Sequence, residues 1–245
     1  MTKIVIITLL MMSSIASAFL PEPIGSHRRG KIKNAFELPA QTESLVRLFP
    51  DKYSGWGSFE MIMMIQNTAV AIKNLYPHSE RVRVGDISRR HGGRLSRHAS
   101  HQNGLDADII YFRSDSVEEI ATRLKNLTKM VVKGTLSPFF DLERNWEYFK
   151  LLHIYGSVQR IFVDKEIKRA VCEFAFNKGE HNTFDYVLRS LRPLSNHDDH
   201  MHVRLRCPDN APKCKAQPEL DVRETGCEKH WKNIAYNEKT THTIL

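Results

Sequence analysis

The chain has 245 residues, 41% of them hydrophobic and 26% charged, with a formal charge of +8. It shows no low-complexity stretch, no repeat at solenoid spacing and no heptad series, which leaves a compact domain with a full core as the expectation. The basic excess suits an anionic polymer, and Arg81, Arg83, Arg89, Arg90, Arg94 and Arg97 gather around one loop; no recognised nucleic-acid motif accompanies them, so an acidic cell wall or membrane surface fits better.

Residues 1–18 read as a cleavable signal peptide: Lys3, an apolar run from Ile4 to Met12, and small residues ending Ala16-Ser17-Ala18. The run is far shorter than the ~20 residues that span a bilayer, so export without integral membrane association is expected, with residues 19–245 forming one domain. From Ser58 to Leu75 neither Gly nor Pro interrupts an apolar-dense stretch, which predicts a buried helix whose methionines Met61, Met63 and Met64 fill the core. Arg81–Ile87 alternates as a strand, a polar loop follows from Ser88 to Gly104, and Leu105–Phe112 forms a second strand. Ser116 and Glu119 have the spacing of a capping box and predict a helix start there. Asp141 opens a helix to about Ile154, Val158–Val163 is a short strand, helices follow around Glu166–Phe176 and Thr183–Leu191, and Met201–Leu205 is a further strand. Without a regular βαβ rhythm, the expected class is α+β, with a small antiparallel sheet flanked by helices.

Cys172, Cys207, Cys214 and Cys227 make an even count without any C-x2-C pair, which in an exported chain predicts two disulfides rather than a zinc ribbon. Three pairings are open at this point.

The chemistry-bearing signal is histidine. Five of twelve histidines sit in two short segments, His98-Ala99-Ser100-His101 and His197-Asp198-Asp199-His200-Met201-His202. Asp106 and Asp108 share one face of their strand, beside the loop that carries His101, and form an H-x6-D metal clamp. His200 and His202 likewise share a face, so one imidazole can coordinate while its neighbour stands beside the reacting water. Three ligands of this type leave zinc a fourth place for water, whereas structural zinc is closed by four ligands.

These motifs resemble the LAS metallopeptidases, the group of lysostaphin, the D-Ala-D-Ala peptidases and the hedgehog fold. Within that group, Gly92-Gly93-Arg94, His98-Ala99-Ser100-His101-Gln102, Ile161-Phe162-Val163 and the run from His200 to Pro208 are similar to the penicillin-insensitive murein endopeptidase family, from about Gly55 to Cys227. The resemblance implies an LAS/hedgehog-like α+β domain in the periplasm that hydrolyses D-alanyl-meso-diaminopimelyl cross-links of peptidoglycan. It implies zinc on His101, Asp108 and His202, with His200 as the base or transition-state stabiliser. His98 matches a position associated with additional metal, but the D-x2-H pattern that accompanies it is absent, so one zinc is expected; His197 matches a position near the active site. Asp106 and Asp199 read as groups that orient imidazoles, and Arg94 or Arg97 as a clamp on an acidic group of the peptide stem. The resemblance also pairs Cys172 with Cys227 and Cys207 with Cys214. Two rival readings are a non-catalytic zinc-containing peptidoglycan-binding module, which has no need of His200 beside His202, and a basic nucleic-acid binder, which explains neither histidine cluster. Oligomeric state is left open.

Overall fold

The computed structural model describes residues 20–50, 52–120 and 126–228; the expected signal peptide, residues 1–18, lies outside them. The strands are β1 (Glu22–Ser26), β2 (Arg29–Lys33), β3 (Phe36–Glu37), β4 (Leu45–Arg47), β5 (Trp56–Gly57), β6 (Val82–Val84), β7 (Asp106–Ile110), β8 (Val131–Val132), β9 (Thr135–Leu136), β10 (Val158–Val163), β11 (Leu191–Pro193) and β12 (His200–Leu205). Among the described residues there are four helices, α1 (Phe59–Leu75), α2 (Leu142–Tyr155), α3 (Lys165–Asn177) and α4 (Asp185–Ser190). The class is mixed α+β.

The central sheet has six strands in the order β11-β10-β12-β7-β6-β4. Its middle is antiparallel, as expected, but both edges are not: β10 pairs β11 in parallel and β4 pairs β6 in parallel. Connectivity explains the difference. The path from β4 to β6 runs through α1, and that from β10 to β11 through α3 and α4, and a helical crossover returns the chain to the end from which it left. Three two-stranded ribbons, β1-β2, β3-β5 and β8-β9, complete the architecture.

Alternation within β7, β10 and β12 splits the sheet into two faces. Ala107, Ile109, Ile161, Val163, Met201, Val203 and Leu205 are fully buried in one core cluster with Met61, Met64 and Ile65 of α1 and Trp146 and Phe149 of α2. Met61 and Met64 therefore pack as expected, whereas Met63 lies on the half-exposed side of α1, outside that cluster. Ser58 caps α1 by accepting from the Met61 amide, Asp141 caps α2 through the Arg144 amide, and Asp164 caps α3 through the Glu166 amide. Each satisfies one amide that the first turn leaves free.

The capping box at Ser116 does not form. Ser116 has φ +53 and no helix begins over 116–120; the Glu119 carboxylate instead accepts from the amide and hydroxyl of Thr128. The two disulfides join Cys172 to Cys227 and Cys207 to Cys214, the pairing implied by the resemblance. Among the described residues, no helix is long and apolar enough to cross a membrane.

Candidate metal centre

The face of the sheet opposite the core carries a polar row, which the strand register assembles. His202 of β12 lies opposite Asp108 of β7 on one side and Phe162 of β10 on the other, and Arg204 lies opposite Asp106. Asp106 and Asp108 are fully buried, so each needs compensating partners.

His101 reaches this row from the loop before β7. Its backbone has φ +64, a left-handed conformation that costs a non-glycine residue roughly 1–2 kcal/mol. Its amide donates to Asp106 Oδ2 at 2.9 Å, which offsets that strain. Gly104, at φ +77, turns the loop into β7, and its carbonyl accepts from the Ser58 amide. On the other side the Gln102 amide donates to the His27 carbonyl, and the Gly93 amide is shared by the Gly30 and Gln102 carbonyls. The β1-β2 ribbon thus braces the loop.

Tautomers follow from these partners. His101 Nδ1 is 2.8 Å from the Ile87 carbonyl, which can only accept, so Nδ1 carries the proton and Nε2 keeps its lone pair. His202 Nε2 stands 3.1 Å from Asp106 Oδ1, an ionised carboxylate oxygen that can only accept, which favours the proton on Nε2 and the lone pair on Nδ1. His101 Nε2, His202 Nδ1 and Asp108 Oδ1 then converge at 3.1, 3.2 and 3.3 Å from one another. Three electron-rich atoms so close repel unless a cation lies among them. Donors bonded to a tetrahedral zinc at about 2.0–2.1 Å stand about 3.3 Å apart, so the spacing fits such an ion. Both Asp108 oxygens are buried without a hydrogen-bond partner, which is a second sign of an acceptor set built for a cation.

The field agrees. Burial opposes ionisation of Asp108, but His101 and His200 overcome it and hold its pKa well below the ordinary carboxylate range. Burial likewise opposes ionisation of Asp106, and His202 and Arg204 hold it well below that range too. For His202, burial disfavours the imidazolium, yet Asp106 and Asp108 prevail and raise its proton affinity.

His200 lies beside the cluster, with Nε2 3.7 Å from Asp108 Oδ1 and Nδ1 bonded to Asp199. Burial works against its protonation, but Asp108 and then Asp199 raise its pKa. His197 packs on His200 at 5.1 Å between ring centroids, and its Nδ1 faces the Ser195 carbonyl. Burial, and then the neighbouring His200 and His202, lower its pKa to about 4. His98 contributes Nδ1 at 3.8 Å from Asp108 Oδ2, while its Nε2 is bonded to Asp86 at 3.0 Å. His98, His101 and Asp108 also form a group whose ligand atoms lie within 4.8 Å, so His98 is a further candidate donor. Arg94 and Arg97 are exposed on the loop and bond none of these side chains.

Three partners went unread in the sequence, the first being Asp86, which holds His98 Nε2 at 3.0 Å. Arg204 grips Asp106 through Nε at 2.7 Å, and the alternation from His202 already placed it on the same face. His27, 1% exposed, brings Nδ1 to 3.4 Å from Asp106 Oδ1, and nothing in its local sequence signals this.

A buried histidine and carboxylate cluster with the spacing of a metal shell, on an α+β sheet, marks the class of metal-dependent hydrolases. The family description of penicillin-insensitive murein endopeptidases matches residues 23–243. Penicillin-insensitive murein endopeptidase from Escherichia coli O9:H4 (strain HS) is 34% identical over 211 residues, covering 84% of this chain and 73% of its own length. The proteins of that name from Escherichia coli K12 and Shigella flexneri serotype 5b are each 33% identical with the same coverage. This chain belongs to the penicillin-insensitive murein endopeptidase family and is a peptidase.

Proposed function

We propose that this chain is a zinc endopeptidase that hydrolyses D-alanyl-meso-diaminopimelyl cross-links of peptidoglycan, with the ion on His101 Nε2, Asp108 and His202 Nδ1. The observation that carries this reading is the convergence of those three lone-pair atoms within 3.3 Å of one another. A zinc ion held there would polarise the scissile carbonyl and acidify water at the place that three protein donors leave vacant. His200 accepts the proton at Nε2, because Nδ1 is committed to Asp199, and returns it to the departing amine. Asp199 fixes the ring and favours its charged form; Asp106 orients the His202 ring from the Nε2 side, which leaves Nδ1 facing the ion, while it clamps the His101 backbone. His197, lowered to about 4, stays neutral at neutral pH and offers Nε2 as an acceptor for a substrate N–H. His98, oriented by Asp86, steadies Asp108 from outside the shell. Arg94 clamps an acidic group of the stem peptide.

The chain is read as an LAS/hedgehog-like domain over residues 19–245 behind a signal peptide at 1–18, and two disulfides suit an oxidising compartment such as the periplasm. A non-catalytic zinc-containing peptidoglycan-binding module is the weaker reading, because such a site has no use for the buried His200–Asp199 pair.

Purified protein should convert cross-linked muropeptide dimers to monomers, stop on chelation and recover with zinc. His200→Ala should keep its zinc and lose about 10²–10⁴-fold in turnover. A fully active variant removes His200 from its role, and zinc-loaded wild type that binds peptidoglycan without cleaving any dimer favours the module.

A further inference from the structure

The arginines fall into two sets. Among the described residues, Arg28, Arg29, Arg89, Arg90, Arg94 and Arg97 have no carboxylate or carbonyl partner and all six are exposed, Arg90 meeting only the Trp56 ring at 5.3 Å. Every other arginine there except Arg192 is tied to a carboxylate or carbonyl oxygen; Arg81 with Glu118, Arg144 with Glu80 and Arg204 with Asp106 are examples. Uncompensated guanidinium charge is therefore concentrated in one region.

That region is a single ribbon. β1 and β2 pair antiparallel, Lys31 of β2 bridges Gly92, and Gly25 of β1 bridges Cys214. Four extended segments thus lie side by side: 213–215, β1, β2 and 91–93. In β2, Arg29, Lys31 and Lys33 alternate with Gly30 and the buried Ile32, so three bases share the outer face. Arg28 is at the hairpin turn, Lys215 is exposed on the outermost segment, and the remaining four arginines lie on the loop that continues to His98 and His101. Glu22 is the one carboxylate of this ribbon, and it already faces Lys33 and Lys213.

We propose that this ribbon is a docking surface for the carboxylate-bearing peptide mesh of insoluble peptidoglycan, outside the metal centre. The inference rests on the substrate reading above. Continuity selects this occupant: the basic surface and His101 share one loop, so a polymer whose cross-link enters the cluster extends across the ribbon. Size agrees, since five-residue strands and four adjacent segments span roughly 17 by 14 Å, more than one dipeptide fills. Guanidinium groups match carboxylates in a planar fork. Each exposed contact is weak by itself, but several engaged together on one polymer act as a multivalent clamp.

The test is Arg28→Glu, Arg29→Glu, Lys31→Glu in one chain, with the Gln triple variant as a milder partner, both in the zinc-loaded protein. Co-sedimentation with purified insoluble peptidoglycan at low salt should weaken about tenfold or more for the Glu variant and less for the Gln variant, and its salt dependence should flatten. Cleavage of a soluble cross-linked dimer and the melting temperature should stay unchanged. Unaltered sedimentation of both variants overturns the proposal. So does lost binding to phosphatidylglycerol vesicles with retained binding to peptidoglycan, which makes the ribbon a membrane surface. If wild type cleaves no soluble dimer, the peptidase reading fails, while sedimentation still decides the docking surface.

Discussion

Asp106 makes its contribution at the scale of single atoms. One carboxylate takes the His101 amide at 2.9 Å, Arg204 Nε at 2.7 Å and faces His202 Nε2 at 3.1 Å. It therefore places one proposed ligand through the backbone and the other through the ring. In Asp106→Asn the charge disappears and an amide N–H₂ replaces one acceptor, leaving the buried Arg204 guanidinium partly unpaired. Zinc titration against a competing chelator should show affinity about 10–100-fold weaker, and the melting transition should fall by an amount equivalent to about 3–5 kcal/mol. Unchanged zinc affinity would remove Asp106 from the positioning role. The site histidines were legible because two of them alternate with apolar residues in β12 and a third closes an H-x6-D spacing onto β7. His27 was not legible, because its contact with Asp106 depends on a ribbon 79 positions away in the chain folding onto the loop.

At the level of elements, the loop from Ile87 to Leu105 shows what a turn residue secures. A Cβ on Gly104 would stand 2.6 Å from Ile32 Cδ1 and 3.0 Å from the Ser58 amide nitrogen, at a φ that L side chains avoid. Gly104→Ala should destabilise the fold by about 1–3 kcal/mol and weaken zinc binding as well, because His101 lies three residues earlier on the same turn. A melting curve and a zinc titration check both effects, and stability loss without any change in zinc affinity would separate the loop from the site. The α1, α2 and α3 spans were readable from apolar density and capping residues. The parallel edges were not, since strand direction follows from crossovers rather than from residues within a strand. Nor were β1 to β5: β3, β4 and β5 are two or three residues long with partners far along the chain, and in the β1-β2 hairpin β2 carries one buried apolar residue, Ile32, among charged ones. At Ser116 the local pattern was right for a cap and lost to two competitors: Thr128 takes the Glu119 carboxylate, and Arg144 of α2, 28 residues on, donates to the Ser116 hydroxyl.

For the whole molecule, two covalent ties secure the end of the described chain. The Cys172–Cys227 bond closes a separation of 55 residues and Cys207–Cys214 a separation of 7, so chain entropy assigns about 4 kcal/mol to the first and about 2 kcal/mol to the second. Stability should also depend on pH through His153, which is remote from the metal cluster. Burial, and then Arg206, lower its pKa to about 4, and its Nε2 is bonded to Ser190 Oγ, which donates onward to the Val187 carbonyl. Between pH 6.5 and about 4 the unfolded chain takes up a proton that folded His153 refuses, so stability falls as pH falls through that window. The loss from this group is about 3 kcal/mol. Comparing His153→Gln with wild type by chemical denaturation at pH 7 and pH 4.5 should show a smaller loss in the variant, and an equal loss would refute the assignment. The decisive measurement is anomalous scattering at the zinc edge from crystals grown with zinc. One ion bonded to His101 Nε2, Asp108 and His202 Nδ1, with its fourth place taken by solvent, is the expected result. An ion closed by His98 as a fourth protein ligand, or no ion between β7 and β12, would contradict the account.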